Sequence, residues 1–121
     1  MTKKILIADD DAAILDAVSL LLGAEGYEVL TAHNGQQVIP LLEKKPDLIL
    51  LDIWMSGTNG QEVCTLIKTS PKTMDIPVIL VSANNDTARL AQESGAEGFL
   101  LKPFEMEDLF AVAHRFAPLA S

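Results

Sequence analysis

Asp9 and Asp10, Asp52, Ser82 and Lys102 each close an apolar run of strand length: Ile5–Ala8, Leu48–Leu51, Pro77–Val81 and Phe99–Leu101. In a parallel sheet the carboxyl ends of such strands share one edge, and open α/β sheets hold their ligands there. Three carboxylates, a hydroxyl and an ammonium then meet in one crevice. Magnesium suits such oxygen donors, because it takes one or two carboxylates and fills its other octahedral positions with water and phosphate oxygens. Without a cation, repulsion among Asp9, Asp10 and Asp52 favours protonation of one of them. With a cation, Asp52 stays ionised and can act as a nucleophile, as carboxylates do in aspartyl-phosphate intermediates. Phosphoryl transfer needs mainly positioning and neutralisation of the equatorial oxygens, which a metal on one side and a lysine on the other provide. Any one of these residues taken alone is equally the polar stop that a strand needs at solvent. The set of types carries the reading.

Strand and helix patterns alternate five times around these residues. A first strand over about 3–9 precedes an apolar stripe at helical spacing, Ile14, Leu15, Val18, Leu21 and Leu22, capped by Asp11 and stopped by Gly26. Tyr27-Glu28-Val29-Leu30-Thr31 mixes polar and apolar residues, as an edge strand does. Asn34 and Gly35 introduce a helix with Val38, Ile39, Leu41 and Leu42, closed off by Pro46. Pro40 inside it removes a backbone donor and costs about 3 kcal/mol unless the helix bends or starts late. After Asp52 comes a loop, Ile53 to Asn59, with Gly57 and Gly60 marking turns. The next helix is expected to bury Val63, Leu66 and Ile67 and to end before Pro71. A strand near 76–81, a short helix near 86–94 closed by Gly95, a strand near 97–101 and a helix near 105–116 burying Leu109, Val112 and Phe116 complete the chain. Strict alternation implies right-handed crossovers, with helices on both faces of a doubly wound five-stranded parallel sheet. With the mixed strand at an edge, the order is 2-1-3-4-5, a match to a known arrangement rather than a new deduction.

Composition narrows the function classes. At 121 residues and 49% hydrophobic content, one domain with an ordinary core is expected over 1–121. No apolar stretch approaches a membrane span, and the apolar run after Lys3 and Lys4 is too short for a signal peptide, so the expected location is cytoplasmic without membrane insertion. A formal net charge of −8 disfavours direct nucleic-acid binding. The single cysteine, Cys64, excludes an internal disulfide and reads as a small buried side chain. His33 and His114 lie outside the motifs and read as solvated or capping groups, while Glu105, Glu107 and Asp108 suit the start of the last helix.

Ile5–Asp11, Pro46–Met55, Val81–Ala83 and Gly95–Phe104, in this order and spacing, resemble a two-component response-regulator receiver domain over essentially the whole chain. The resemblance implies a CheY-like, flavodoxin-like (βα)5 fold and a phosphoacceptor at Asp52. It implies a magnesium site, with manganese able to substitute, held by Asp9, Asp10, Asp52 and the backbone carbonyl of Trp54. In it Asp10 binds directly and Asp9 largely through water. Ser82 matches the hydroxyl that meets the phosphoryl oxygen and Lys102 the lysine that pairs with it. Phe99 occupies the position of an aromatic ring that changes orientation on activation. Lys102-Pro103 resembles the family's cis peptide, and Trp54 and Asn84 sit at the two positions that tune phosphoryl lifetime. Three departures stand out: Ser56 replaces the usual proline after Met55, Trp54 is bulky, and Ser82–Gly95 is about two residues short, implying a reduced fourth helix.

The resulting expectation is a phosphorylation-dependent switch, not an enzyme in its own right. It takes its phosphoryl group from a histidine kinase or a histidine phosphotransfer protein and signals to an unidentified downstream protein. The chain ends soon after its last helix, so no output domain is expected within it. Alternatives are a phosphorelay carrier, a receiver excised from a longer DNA-binding regulator and, more remotely, a small magnesium-dependent phosphohydrolase using the Asp-x-Asp of Asp9–Asp11.

Overall fold

A computed structural model describes residues 2–55 and 57–119. Ser56, one of the three departures named above, falls outside the described residues. Five strands, β1 (Lys4–Ala8), β2 (Glu28–Ala32), β3 (Leu48–Asp52), β4 (Val78–Ser82) and β5 (Gly98–Leu101), pair in parallel in the order β2-β1-β3-β4-β5. Helices α1 (Ala12–Glu25), α2 (Gly35–Leu41), α3 (Gly60–Thr69), α4 (Thr87–Ser94) and α5 (Met106–Phe116) fill the crossovers.

Alternation along the central strands divides the core into two layers, since successive strand side chains point to opposite faces. Ile5, Ile7, Leu48, Leu50 and Ile79 pack against Leu15, Val18 and Leu22 of α1 and Leu109 and Ala113 of α5. Leu6, Ile49, Leu51, Val78 and Leu80 pack against Val38 of α2, Cys64 and Ile67 of α3 and Ala91 of α4. A sheet covered on both faces needs the near-continuous apolar strands that the sequence carries.

Helix ends follow local chemistry. The Asp11 carboxylate accepts from the Ala13 and Ile14 N–H groups, and Gly26 and Gly95 close α1 and α4 with φ of 109° and 83°, the left-handed region that glycine enters without cost. Glu105 and Asp108 form a reciprocal capping box at α5. Pro40 stands one residue before the end of α2, which tightens at once into a 3-10 turn over Leu42–Lys44; the missing donor thus ends the helix early instead of kinking it.

Two burial expectations are corrected. Leu66 is 59% exposed, and fully buried Cys64 takes its place on the inner face of α3 beside Val63 and Ile67. Val112 and Phe116 pack against the core while remaining partly exposed, and Ala113 is the fully buried neighbour of Leu109. Both misreadings come from ranking residues by size, whereas the side facing the sheet is set by helix rotation. The strand bounds also move by one or two residues, most at β4, which starts at Val78 and includes Ser82.

Candidate functional site

Four strand ends build the site. The ladder continues past the strands: Asp9 N–H donates to the Ala32 carbonyl at 3.0 Å, Ile53 N–H to Val81 at 3.0 Å and Lys102 N–H to Ser82 at 2.9 Å. Asp9, Asp52, Ser82 and Lys102 are therefore fixed by backbone pairing at the same edge. Asp9, Asp52 and Ser82 are buried, although each is polar. Asp10, next along the chain, is exposed.

One carboxylate oxygen from each of Asp9, Asp10 and Asp52 falls within a cluster no more than 4.8 Å across. Lys102 Nζ lies 2.8 Å from Asp9 Oδ2 and 3.4 Å from Asp52 Oδ2. The remaining Asp9 oxygen accepts the Asp11 N–H at 2.9 Å, and Asp52 Oδ1 accepts the Trp54 N–H at 3.3 Å. Burial first, then the charge of Asp9, pushes the Asp52 carboxyl up to about 6, against the opposing pull of Lys102 and the Trp54 amide. Burial disfavours the Lys102 charge, but its hydrogen bond to Asp9 and the charges of Asp52 and Asp9 hold its pKa above the usual lysine value. One ammonium is shared between two buried carboxylates, and Asp52 is the more distant of the two. An all-oxygen donor set, short of positive charge and with one exposed member, fits a hard divalent cation.

The Ser82 hydroxyl oxygen accepts the Asn84 N–H at 3.0 Å, and Asn84 Oδ1 accepts the Asp86 N–H at 2.8 Å, so the two residues form one turn leading into α4. The Lys102–Pro103 peptide is cis. The Trp54 side chain is 54% exposed, in a two-residue antiparallel ladder with Thr58–Asn59. Phe99 stands on edge strand β5, 42% exposed, beside a groove of about 170 Å³ between β5 and α5.

Sequence reasoning read Gly60 only as a turn marker, yet it supports the site directly. Its N–H donates to Ile53 at 2.6 Å, and a methyl there would collide with the Asp52 carbonyl oxygen and come within 2.8 Å of Ile53 Cα. The signal was the position of a glycine one turn of loop after the aspartate, where backbones must cross closely. His114 reaches Glu25 at 3.1 Å and stacks between Tyr27 and Phe110, away from the cluster.

The family model for the response regulator receiver domain matches residues 5–114. The chain belongs to that family. It is 40% identical over 112 residues to the phosphate regulon transcriptional regulatory protein PhoB of Pseudomonas aeruginosa, covering 90% of this chain and 49% of PhoB. It is 33% identical over 114 residues to the DNA-binding response regulator MtrA of Mycobacterium tuberculosis, covering 92% and 49%. The chain thus spans about half the length of these curated relatives. Among solved structures, chemotaxis protein CheY4 of Vibrio cholerae superposes with a TM-score of 0.88 at 28% identity, covering 96% of this chain and 99% of CheY4. A putative response regulator from Chloroflexus aurantiacus gives 0.90 at 27%, covering 96% and 98%. The receiver class, the CheY-like fold and the strand order expected from sequence all hold. No helix among the described residues is long and apolar enough to cross a membrane.

Proposed function

We propose that this receiver is a phosphorylation-dependent switch whose acceptor is Asp52. The observation that carries the reading is the cluster itself: a buried carboxylate, short of neutralising charge, with a lysine ammonium 3.4 Å away and two further carboxylates beside it. An Asp52 oxygen attacks the phosphorus of a phosphohistidine, the P–N bond breaks, and its electron pair returns to the imidazole, which takes up a proton. Asp9, Asp10, Asp52 and the Trp54 carbonyl would hold magnesium, with manganese as a substitute; it supplies charge neutralisation of the transferring oxygens. Lys102, the one cation at the cluster among the described residues, pairs with the phosphoryl group and thereby leaves Asp9. The Ser82 hydroxyl has its oxygen already engaged by Asn84, which leaves its proton to donate to the phosphoryl oxygen. Phe99 reports the change at the β5 edge. The domain is the substrate of its kinase and the source of its own slow dephosphorylation, and catalyses nothing further.

The protein that delivers the phosphoryl group has an apolar place to sit beside the site. A groove of about 400 Å³ runs between α1 and the segment after β5, lined by Ile14, Ala17, Leu21, Lys102, Pro103 and Phe104. A histidine kinase or histidine phosphotransfer protein docked there brings its histidine over the crevice.

A second reading for the output is favoured by the relatives: PhoB and MtrA are named as transcriptional and DNA-binding regulators, and this chain matches about half of each. In that reading the same switch governs a DNA-binding region elsewhere in a longer protein. A partner protein contacted directly is the other outlet. Either way the test of the acceptor is the same. With magnesium and a small phosphodonor the protein gains one base-labile phosphoryl group, and Asp52→Ala gains none; equal labelling of that variant would refute the assignment.

A further inference from the structure

The cations of this acidic chain are sorted by place. Lys68 pairs with Glu97, Arg89 with Asp86 and Glu93, and Lys102 with Asp9 and Asp52, while Arg115 lies over the Phe116 ring. The other five, Lys3, Lys4, Lys44, Lys45 and Lys72, have no carboxylate within ion-pair distance among the described residues. All five lie at the amino edge of the sheet. Lys3, Lys4 and Lys45 line one hollow, Lys4 Nζ donates to the Lys44 carbonyl at 3.1 Å, and Lys45 and Lys72 flank the groove next to it.

That groove holds about 500 Å³ between the end of α2 with its 3-10 turn and the outer face of α3. Ile39 and Leu42 form one wall and Leu66 and Ile67 the other, with Ile39 45% and Leu66 59% exposed. Lysines just beyond helix C-termini serve the helix dipoles, and that accounts for Lys44, Lys45 and Lys72. It does not account for two large aliphatic side chains held in water between them. Two side-by-side helices with an apolar seam form the setting for a helix laid in a groove.

We propose that this groove docks an acidic amphipathic helix of a partner protein, with aliphatic anchors between Ile39 and Leu66 and carboxylates on Lys45 and Lys72. Charge decides the occupant. The chain carries −8 overall, so an acidic segment is repelled by most of the surface and drawn to the one end where the unpaired lysines gather. Glu28, Glu43, Asp47 and Asp75 stand at this end against the five lysines, and in the groove itself Lys45 and Lys72 outnumber Glu43, so the end keeps a small positive excess on an otherwise acidic surface. The groove lies across the sheet from Asp52, so such a partner binds independently of the phosphodonor.

The probe is a synthetic helical peptide about four turns long, with leucine at i, i+3, i+4 and i+7 and glutamate elsewhere. Titrated into the isotope-labelled protein, it should shift the amides of Ile39, Leu42, Lys45, Leu66 and Lys72. Binding should weaken at least about tenfold with Leu66→Glu or with Lys45→Glu plus Lys72→Glu, a loss of about 1.4 kcal/mol, and should fall with added salt. The surface lysine pair keeps the test readable should Leu66→Glu perturb α3. A peptide with lysine in place of glutamate should not bind. Equal binding of the lysine peptide, shifts centred elsewhere, or no shifts at millimolar peptide would each overturn the proposal.

Discussion

A lysine–carboxylate bridge meets the strand ends at each edge of the sheet, and the two have opposite consequences. At the amino edge Lys68 Nζ lies 2.8 Å from Glu97 and also donates to the Ile76 carbonyl at 2.9 Å, while the other Glu97 oxygen accepts the Val78 N–H at 2.8 Å. One cation meets one anion, and the surrounding backbone groups are satisfied. At the carboxyl edge Lys102 is just as close to Asp9, at 2.8 Å, but serves Asp52 as well, with Asp10 in the same cluster. The first arrangement clamps α3 to β4 and β5. The second leaves a carboxyl pushed up to about 6. Charge balance around a salt bridge, and not the bridge itself, separates a clamp from a site.

The widest separation between the two should come from removing each lysine. Lys102→Ala leaves Asp9 and Asp52 buried with no cation and should cost about 3 kcal/mol at neutral pH in chelator. It should still accept some phosphoryl group, yet lose the phosphorylation-dependent change in the Phe99 ring signals. Lys68→Ala should cost about 1–2 kcal/mol and leave phosphorylation and those signals intact. Urea unfolding and proton spectra of the phosphorylated variants check both. Equal functional damage from Lys68→Ala would break the contrast.

Gly60 tests whether the carboxyl edge depends on backbone as much as on charge. Gly60→Ala forces a methyl onto the Asp52 carbonyl and Ile53, and should cost about 2–4 kcal/mol. Because the displaced segment carries Asp52, labelling by a small phosphodonor should slow even in the folded fraction. Unchanged labelling would mean that the loop gives way and the aspartate does not.

These contrasts also mark what the sequence made legible. Asp9, Asp52, Ser82 and Lys102 could be placed together because each follows an apolar run, and a parallel sheet converts that into a shared edge. The caps at Asp11, Gly26 and Gly95 were legible for a similarly local reason. Leu66 was misplaced because its neighbour Cys64 is small, and apolar size says little about which side of a short helix faces the sheet. Glu97 gave no signal, since one glutamate among many cannot announce that it spans Lys68 and Val78. The close approach of Gly60 to Asp52 was likewise hidden, because a turn glycine and a glycine at a crossing of backbones look alike in sequence.

Asp52 links the charge imbalance to pH. Its folded pKa, about 6, lies above the usual unfolded value near 3.9, so the folded state holds the extra proton between those limits. The Asp52 contribution to stability is therefore fully present below about pH 4 and is lost as pH rises through about 6. Asp52→Asn removes that loss and should stabilise the metal-free protein by up to about 3 kcal/mol at pH 7, with no gain at pH 4. The pH dependence of urea midpoints for the two proteins gives the answer. A gain independent of pH would place the effect in packing instead of charge.

The smallest expected effect concerns Trp54, the single tryptophan of the chain, whose amide holds Asp52 and whose ring is 54% exposed. If that half-exposed ring turns toward the crevice, it stands at the rim with one face packed and the other in water. Hydrolysis of an aspartyl phosphate needs water in line with the leaving oxygen, so a ring at this rim hinders that approach. Trp54→Ala keeps the backbone amide to Asp52 and should speed autodephosphorylation about threefold to tenfold, less than 1.4 kcal/mol in barrier. Decay of the phosphorylated protein after removal of the phosphodonor measures it. In the native protein the same ring should report magnesium and then phosphorylation as successive changes in fluorescence, with no second indole to confuse them. Unchanged decay combined with slower transfer from a kinase would reassign the ring to docking, and the carboxyl edge would then owe its phosphoryl lifetime to the turn through Ser82 and Asn84.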